Sequence, residues 1–231
     1  MTDITISGPD GSMSAYLALP KDRAKAPGIL VIQEIFGVNK VMRDLTDGFA
    51  AQGYLALCPD LFWRQQPGIQ ITDQSEAEWQ RAFQLYQGFN EAKGVGDLIV
   101  SLEHLRGVPQ CSGKAGSVGY CLGGKLAYLM ATRSNADASV GYYGVGIEKA
   151  LGEAAAITKP LLLHIAAKDQ FCPPEAQAAI NGGLARNSHV TLHTYPGVDH
   201  AFARVGGAHH DKAAADLANR RTADFFKKHL G

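Results

Sequence analysis

The sequence has no excess charge of either sign: 22 Lys and Arg stand against 22 Asp and Glu in 231 residues. Such a chain has no global field to draw in nucleic acid, an anionic membrane or an acidic substrate, so recognition of an anion falls to local arginines. Cysteine is sparse. Cys58, Cys111, Cys121 and Cys172 lack the paired spacing of a zinc site and are expected to be thiols in a reducing compartment. No apolar run reaches membrane-spanning length, and the opening MTDITISGPDGSMSAYLALP has no basic segment followed by an apolar one. These absences predict a soluble cytoplasmic protein with no nucleic-acid or membrane partner. Internal repeats, low-complexity tracts and long Pro/Gly/Ser linkers are also missing, so a single domain over 1–231 is expected. With 46% hydrophobic residues it can bury one substantial core.

What is present is an alternation of two periods. Residues 14–19 alternate as a strand, and GILVIQ at 28–33 reads as a continuous apolar strand buried on both faces. Further strands are expected at 54–57, 115–119, 139–143, 161–166 and 190–195. Helical patterns lie at 40–51, 75–89, 95–105, 123–133, 174–185 and 211–228, and 62–72 reads as a long loop. Strands alternating with helices predict an α/β protein with a mostly parallel central sheet and helices on both faces. In such sheets, ligands bind beyond the carboxyl ends of the strands.

The strongest local signal is Gly119-Tyr120-Cys121-Leu122-Gly123-Gly124, placed between an apolar strand and a helical run. A nucleophile elbow needs small residues on both flanks, because its central residue is strained and the backbone packs tightly around it. Here Cys121 stands where a serine is usual, at a helix N-terminus that favours thiolate. Asp169 follows the strand PLLLHIAA, and His200 follows the strand at 190–195. The order nucleophile, acid, histidine is that of α/β-hydrolases. His200 would serve as base and later as acid, with Asp169 fixing its tautomer. His164 lies inside a strand; His104, His189, His193 and His229 have no obvious partner. His209 and His210 bring no third ligand at metal spacing, so no metal is expected.

Taken together, QEIFGVN (33–39), CPDLFWRQ (58–65), GVGDL (94–98), VGYCLGG (118–124), GYYGVG (141–146) and HAFAR (200–204) resemble the dienelactone hydrolases, or carboxymethylenebutenolidases, through nearly the whole chain. The resemblance implies an α/β-hydrolase that opens a carboxylate-bearing enol-lactone in the breakdown of aromatic and chloroaromatic compounds. It implies Cys121, His200 and Asp169 as a triad, Glu34 as the carboxylate that helps activate the thiol, and Arg204 as the ligand of the substrate carboxylate. The oxyanion hole would be the backbone N–H groups of Leu122 and Ile35, consistent with the general rule for this fold. Phe36, Tyr143 and Arg81 complete the expected substrate-binding set. No metal or organic cofactor is required, and a monomer acting on a small lactone or ester is expected.

Two departures from the family pattern concern recognition. Trp79 stands where the family carries a second carboxylate-binding arginine, with Arg81 two residues along, about half a helical turn away. Phe83 replaces a substrate-facing tyrosine and Ala201 a serine. These changes leave room for a broader esterase or thioesterase of the same fold. A ligand-binding protein on a hydrolase scaffold is the rival from another class; the intact Cys121, Asp169 and His200 speak against it, because a binder needs no such set. A redox sensor at Cys121 is a third reading, weakened by the lack of an evident resolving cysteine.

Overall fold

In the computed structural model, which describes residues 1–21 and 24–231, the alternating segment TDITISG forms β1 (Thr2–Gly8), a strand outside those expected above. Only Ile6 of β1 is buried, so its apolar periodicity is weak in the sequence. It pairs antiparallel with β2 (Gly11–Ala18), which in turn pairs antiparallel with β4 (Leu55–Pro59). The fully buried β3 (Ala26–Ile32) runs parallel to β4, with Gly28 opposite Leu55. These four strands, in the order β1-β2-β4-β3, belong to a compact unit spanning residues 1–116.

Its helices start where side chains can satisfy the first-turn N–H groups. Asn39 accepts from Met42 N–H before α1 (Lys40–Ala51), and Ser75 accepts from Glu78 N–H before α2 (Glu76–Gln87). Helix α3 (Glu91–Gly107) begins four residues ahead of the expected 95, because Asn90 caps it through Lys93 N–H at 3.0 Å. The expected loop after β4 is tethered at its tip: Asp60 accepts from Phe62 N–H at 2.9 Å and from Gly68 N–H at 2.8 Å.

The second unit spans residues 117–231. Here β5 (Cys111–Tyr120, entering this unit at Ser117), β6 (Ser139–Tyr142), β7 (Leu161–Ala166) and β8 (Val190–Tyr195) lie side by side, all parallel. Parallel neighbours need crossovers. Helix α4 (Leu122–Arg133), a 3₁₀ segment (Ile147–Ala156) and α5 (Pro174–Leu184) supply them, and α6 (Lys212–Leu230) ends the chain. All four strands therefore deliver their carboxyl ends to one edge, followed in turn by Cys121, Tyr143, Asp169 and His200.

Beneath that edge, buried His164 of β7 is hydrogen-bonded at both ring nitrogens. Its Nδ1 lies 2.8 Å from the Tyr195 hydroxyl and its Nε2 lies 2.9 Å from the Thr222 hydroxyl of α6. The Tyr142 hydroxyl meets Thr222 at 2.6 Å and donates to Asn219 at 3.0 Å. Burial, reinforced by His193 and Arg221, lowers the His164 pKa to about 3, so the ring is neutral and joins α6 to β6, β7 and β8 by hydrogen bonds alone.

Candidate active site

The turn from β5 into α4 depends on missing side chains. A Cβ on Gly119 would lie 1.8 Å from the Gly123 carbonyl oxygen, and one on Gly124 would lie 2.3 Å from that of Tyr142. Between these glycines Cys121 takes φ 56° and ψ −115°, a conformation that L-residues rarely adopt. Its N–H donates to the Tyr142 carbonyl at 3.1 Å, tying the turn to the end of β6. The thiol is thus held at the first turn of α4. Leu122 opens that helix, where backbone N–H groups have no intrahelical acceptor.

His200 and Asp169 arrive from the loops after β8 and β7. His200 Nδ1 lies 2.8 Å from Asp169 Oδ2, and both side chains are almost sealed from solvent. The other carboxylate oxygen accepts from Phe171 N–H at 2.8 Å. Burial opposes a charged His200 ring. The negative charge of the Cys121 sulfur, with hydrogen bonds to Asp169 and Cys121, outweighs it and raises the pKa to about 10. With Nδ1 committed to Asp169, Nε2 is the nitrogen left for Cys121. An imidazolium held in this way has a proton that it can give to a leaving group.

Two aromatic rings meet the imidazole edge to face, Tyr143 at 5.2 Å and Phe171 at 4.9 Å between centroids. Tyr143 is buried, adopts φ 38° and donates its N–H to the His164 carbonyl at 2.8 Å. Phe171 was not among the expected site residues; its position directly after Asp169 and Gln170 was the available signal. Buried Arg204 follows in the same turn as His200, its N–H donating to Ala201 O at 2.9 Å.

The remaining expected residues belong to the first unit. Glu34, Ile35 and Phe36 are buried just beyond β3. Gln33, which opens the QEIFGVN motif but was assigned no role, fixes their backbone: its Oε1 accepts from Leu61 N–H at 3.0 Å and its Nε2 donates to Glu34 O at 3.2 Å. Gly37, at φ 77°, packs so closely on residue 69 that a Cβ would lie 1.9 Å from the Ile69 carbonyl oxygen. Phe36 meets Trp79 edge to face at 5.1 Å, and Trp79 stacks on Phe83 at 5.5 Å. Arg81 is turned to other partners: its guanidinium donates to Gln84 Oε1 at 3.1 Å and to Gln66 Oε1. Among the described residues no group of three or more His, Cys, Asp or Glu is arranged to hold a metal, and no helix is long and apolar enough to cross a membrane.

A mostly parallel α/β architecture, with a strand–sharp turn–helix elbow followed in chain order by an acid and a histidine at later strand ends, is the α/β-hydrolase fold. The crystal structure of a Klebsiella pneumoniae protein provisionally named dienelactone hydrolase matches with a TM-score of 0.88 at 26% identity, covering 98% of each chain. A model of the dienelactone hydrolase family matches residues 13–230, and the chain belongs to that family. A relative from Azospirillum brasilense, provisionally named carboxymethylenebutenolidase, is 58% identical over the full length of both chains. The carboxymethylenebutenolidase of Pseudomonas putida is 41% identical, covering 96% of this chain and 94% of its own. The protein is accordingly an enzyme, a carboxylic ester hydrolase.

Proposed function

We propose that the enzyme opens a carboxylate-bearing enol-lactone, of the dienelactone type met in aromatic and chloroaromatic breakdown, through a Cys121–His200–Asp169 triad. The observation that carries this reading is the sealed 2.8 Å pair of His200 and Asp169, with an imidazole raised to about 10 by the Cys121 sulfur. The thiolate attacks the lactone carbonyl carbon, and the N–H groups of Leu122 and Ile35 take the developing oxyanion. Collapse breaks the ring C–O bond, the enolate takes the proton from His200, and a thioester forms on Cys121. Neutral His200 then removes a proton from water as it attacks the thioester carbonyl. The C–S bond breaks and the acid product leaves, with His200 again protonated and the sulfur freed for the next cycle. The sum is one water added and one ester bond cleaved.

Arg204 is the cation assigned to the substrate carboxylate, because a chain without net charge must supply a specific one and a guanidinium offers a bidentate fork. Glu34 is assigned to thiol activation, and Phe36 and Tyr143 to the substrate's apolar surface. The family motif runs through both compact units, which supports one catalytic domain.

A panel of cis- and trans-dienelactone beside simple aryl esters tests the reading. Cys121→Ala should abolish turnover in a folded protein, and iodoacetamide should inactivate the wild type by alkylating Cys121. Arg204→Ala should depress lactone turnover far more than ester turnover. Turnover by folded Cys121→Ala removes the nucleophile assignment. A broader esterase is the second reading, favoured by the Phe36–Trp79–Phe83 stack and by the engagement of Arg81 with Gln66 and Gln84. Equal rates on neutral esters and dienelactones would select it.

A further inference from the structure

Asp169 and His200 sit on loops from different strands, so their hydrogen bond requires the two loops to keep a fixed mutual register. Two links across the loops set that register. Lys168 N–H donates to Val198 O at 2.9 Å, and Gln170 N–H donates to Asp199 Oδ1 at 3.1 Å. The residues on both sides of Asp169 are thereby tied to the two residues that precede His200. The same Asp199 oxygen accepts from His200 N–H at 2.6 Å. One carboxylate oxygen thus gathers the amide that follows the acid and the amide of the histidine itself. Its second oxygen lies 3.9 Å from His209 Nδ1, on the more exposed side.

We propose that Asp199 is a positioning residue: its carboxylate clamps the two loops and so holds the imidazole of His200 on Asp169 Oδ2. It touches none of the reacting atoms. A single side-chain oxygen that accepts from both loops suits such a clamp, and α5 also holds the acid loop through Gln177. Gln177 Nε2 donates to Cys172 O at 2.7 Å and to Ala167 O at 3.4 Å, bracketing the acid loop while Asp199 ties it to the histidine. The idea rests on the triad reading above.

The test compares wild type, Asp199→Asn and Asp199→Ala as full-length proteins, by kcat and KM on an aryl ester and by the low-field proton resonance of the His200 Nδ1–H. Misplacement of a catalytic group by about 1 Å can slow a reaction about 100-fold, so Asp199→Ala should lose about 10- to 100-fold in kcat with KM changed by less than about twofold. Its Nδ1–H resonance should broaden or move upfield. Asp199→Asn keeps an oxygen that can accept both amides and should recover the resonance and most of kcat. An Asp199→Ala protein with wild-type kcat and resonance overturns the proposal, as does an Asp199→Asn protein that loses both. If Asp199→Ala does not fold, Asp199→Ser, which lacks the carboxylate and its reach, takes its place: loss of kcat and of the resonance is expected, and wild-type values of both overturn the proposal. The resonance can also be recorded in Cys121→Ala, which keeps a failure of the clamp distinct from a failure of the nucleophile assignment.

Discussion

The rings of Tyr143 and His200 meet edge to face at 5.2 Å, and Tyr143 occupies that place with a φ of 38°. A bulky residue with positive φ is strained by about 1–3 kcal/mol and persists only where its surroundings over-determine it. Among the described residues the non-glycine positions with positive φ are Cys121, Tyr143 and Ala201. They follow β5, follow β6 and follow His200. Backbone strain is thus concentrated around the candidate triad, where packing and hydrogen bonds from three strands hold it.

The charge on His200 should depend on Cys121. Removing the sulfur leaves burial, which disfavours the imidazolium, opposed only by Asp169. The His200 pKa in Cys121→Ala should therefore drop well below about 10, as read from the imidazole resonances in a pH titration. An unchanged midpoint would mean that Asp169 alone sustains the charge. The sign for stability follows from linkage: a raised folded-state pKa contributes stability that is full below about 6.5 and is lost as pH rises through about 10. That loss should move to lower pH in Cys121→Ala.

The glycines divide into two predicted groups. Gly119→Ala and Gly124→Ala drive a Cβ into backbone at 1.8 and 2.3 Å and should destabilise the protein by more than about 3 kcal/mol or prevent folding. Gly48 in α1 and Gly96 in α3 have open space around a built Cβ. Alanine there should stabilise by about 0.5–1 kcal/mol each, through helix propensity and a less flexible unfolded chain. Urea denaturation separates the groups, and a well-folded Gly119→Ala protein would contradict the tight elbow.

His164 predicts an acid-side effect. Its folded-state pKa of about 3 lies below the ordinary 6.5, so the unfolded chain takes up a proton over that interval while the native protein does not. The contribution is full above about 6.5 and is lost as pH falls toward about 3. Comparing urea midpoints at several pH values, wild type should weaken on acidification more steeply than His164→Gln. Parallel curves would show that His164 does not control acid stability.

Most of the fold was legible because its signals are local. The period-2 and period-3.6 runs marked β2 to β8 and the six α-helices, and the spacing of Gly119 and Gly123 about Cys121 marked the elbow. The chain order of Cys121, Asp169 and His200 pointed to residues that the fold brings to neighbouring strand ends. Strand β1 was missed because one buried side chain gives too weak a pattern. The partners of His164 were invisible because Thr222 is 58 positions away. Asp199 and Gln33 escaped notice for the same reason: each binds backbone amides brought close only by folding, 28 or 29 positions apart in sequence. In Arg81 the half-turn offset from Trp79 was readable, whereas its capture by Gln66 and Gln84 depends on where the loop before α2 returns.

Gln33 gives the last prediction, which separates oxyanion stabilisation from thiol activation. Its side chain is fully buried, and its amide joins Leu61 N–H to the Glu34 carbonyl, setting the orientation of the peptide units that lead to Ile35 N–H. Gln33→Met keeps the length but leaves Leu61 N–H without this acceptor, a loss of about 1–3 kcal/mol in stability. If Ile35 N–H is an oxyanion donor, disturbing its aim should lower kcat toward the roughly 100- to 1,000-fold loss seen when such a donor is removed outright. Alkylation of Cys121 by iodoacetamide forms no oxyanion, so its rate should stay near that of wild type. The pair of measurements is decisive in either direction. Turnover falling while alkylation holds assigns the loop after β3 to the oxyanion; both falling together would make Gln33 a support of the fold.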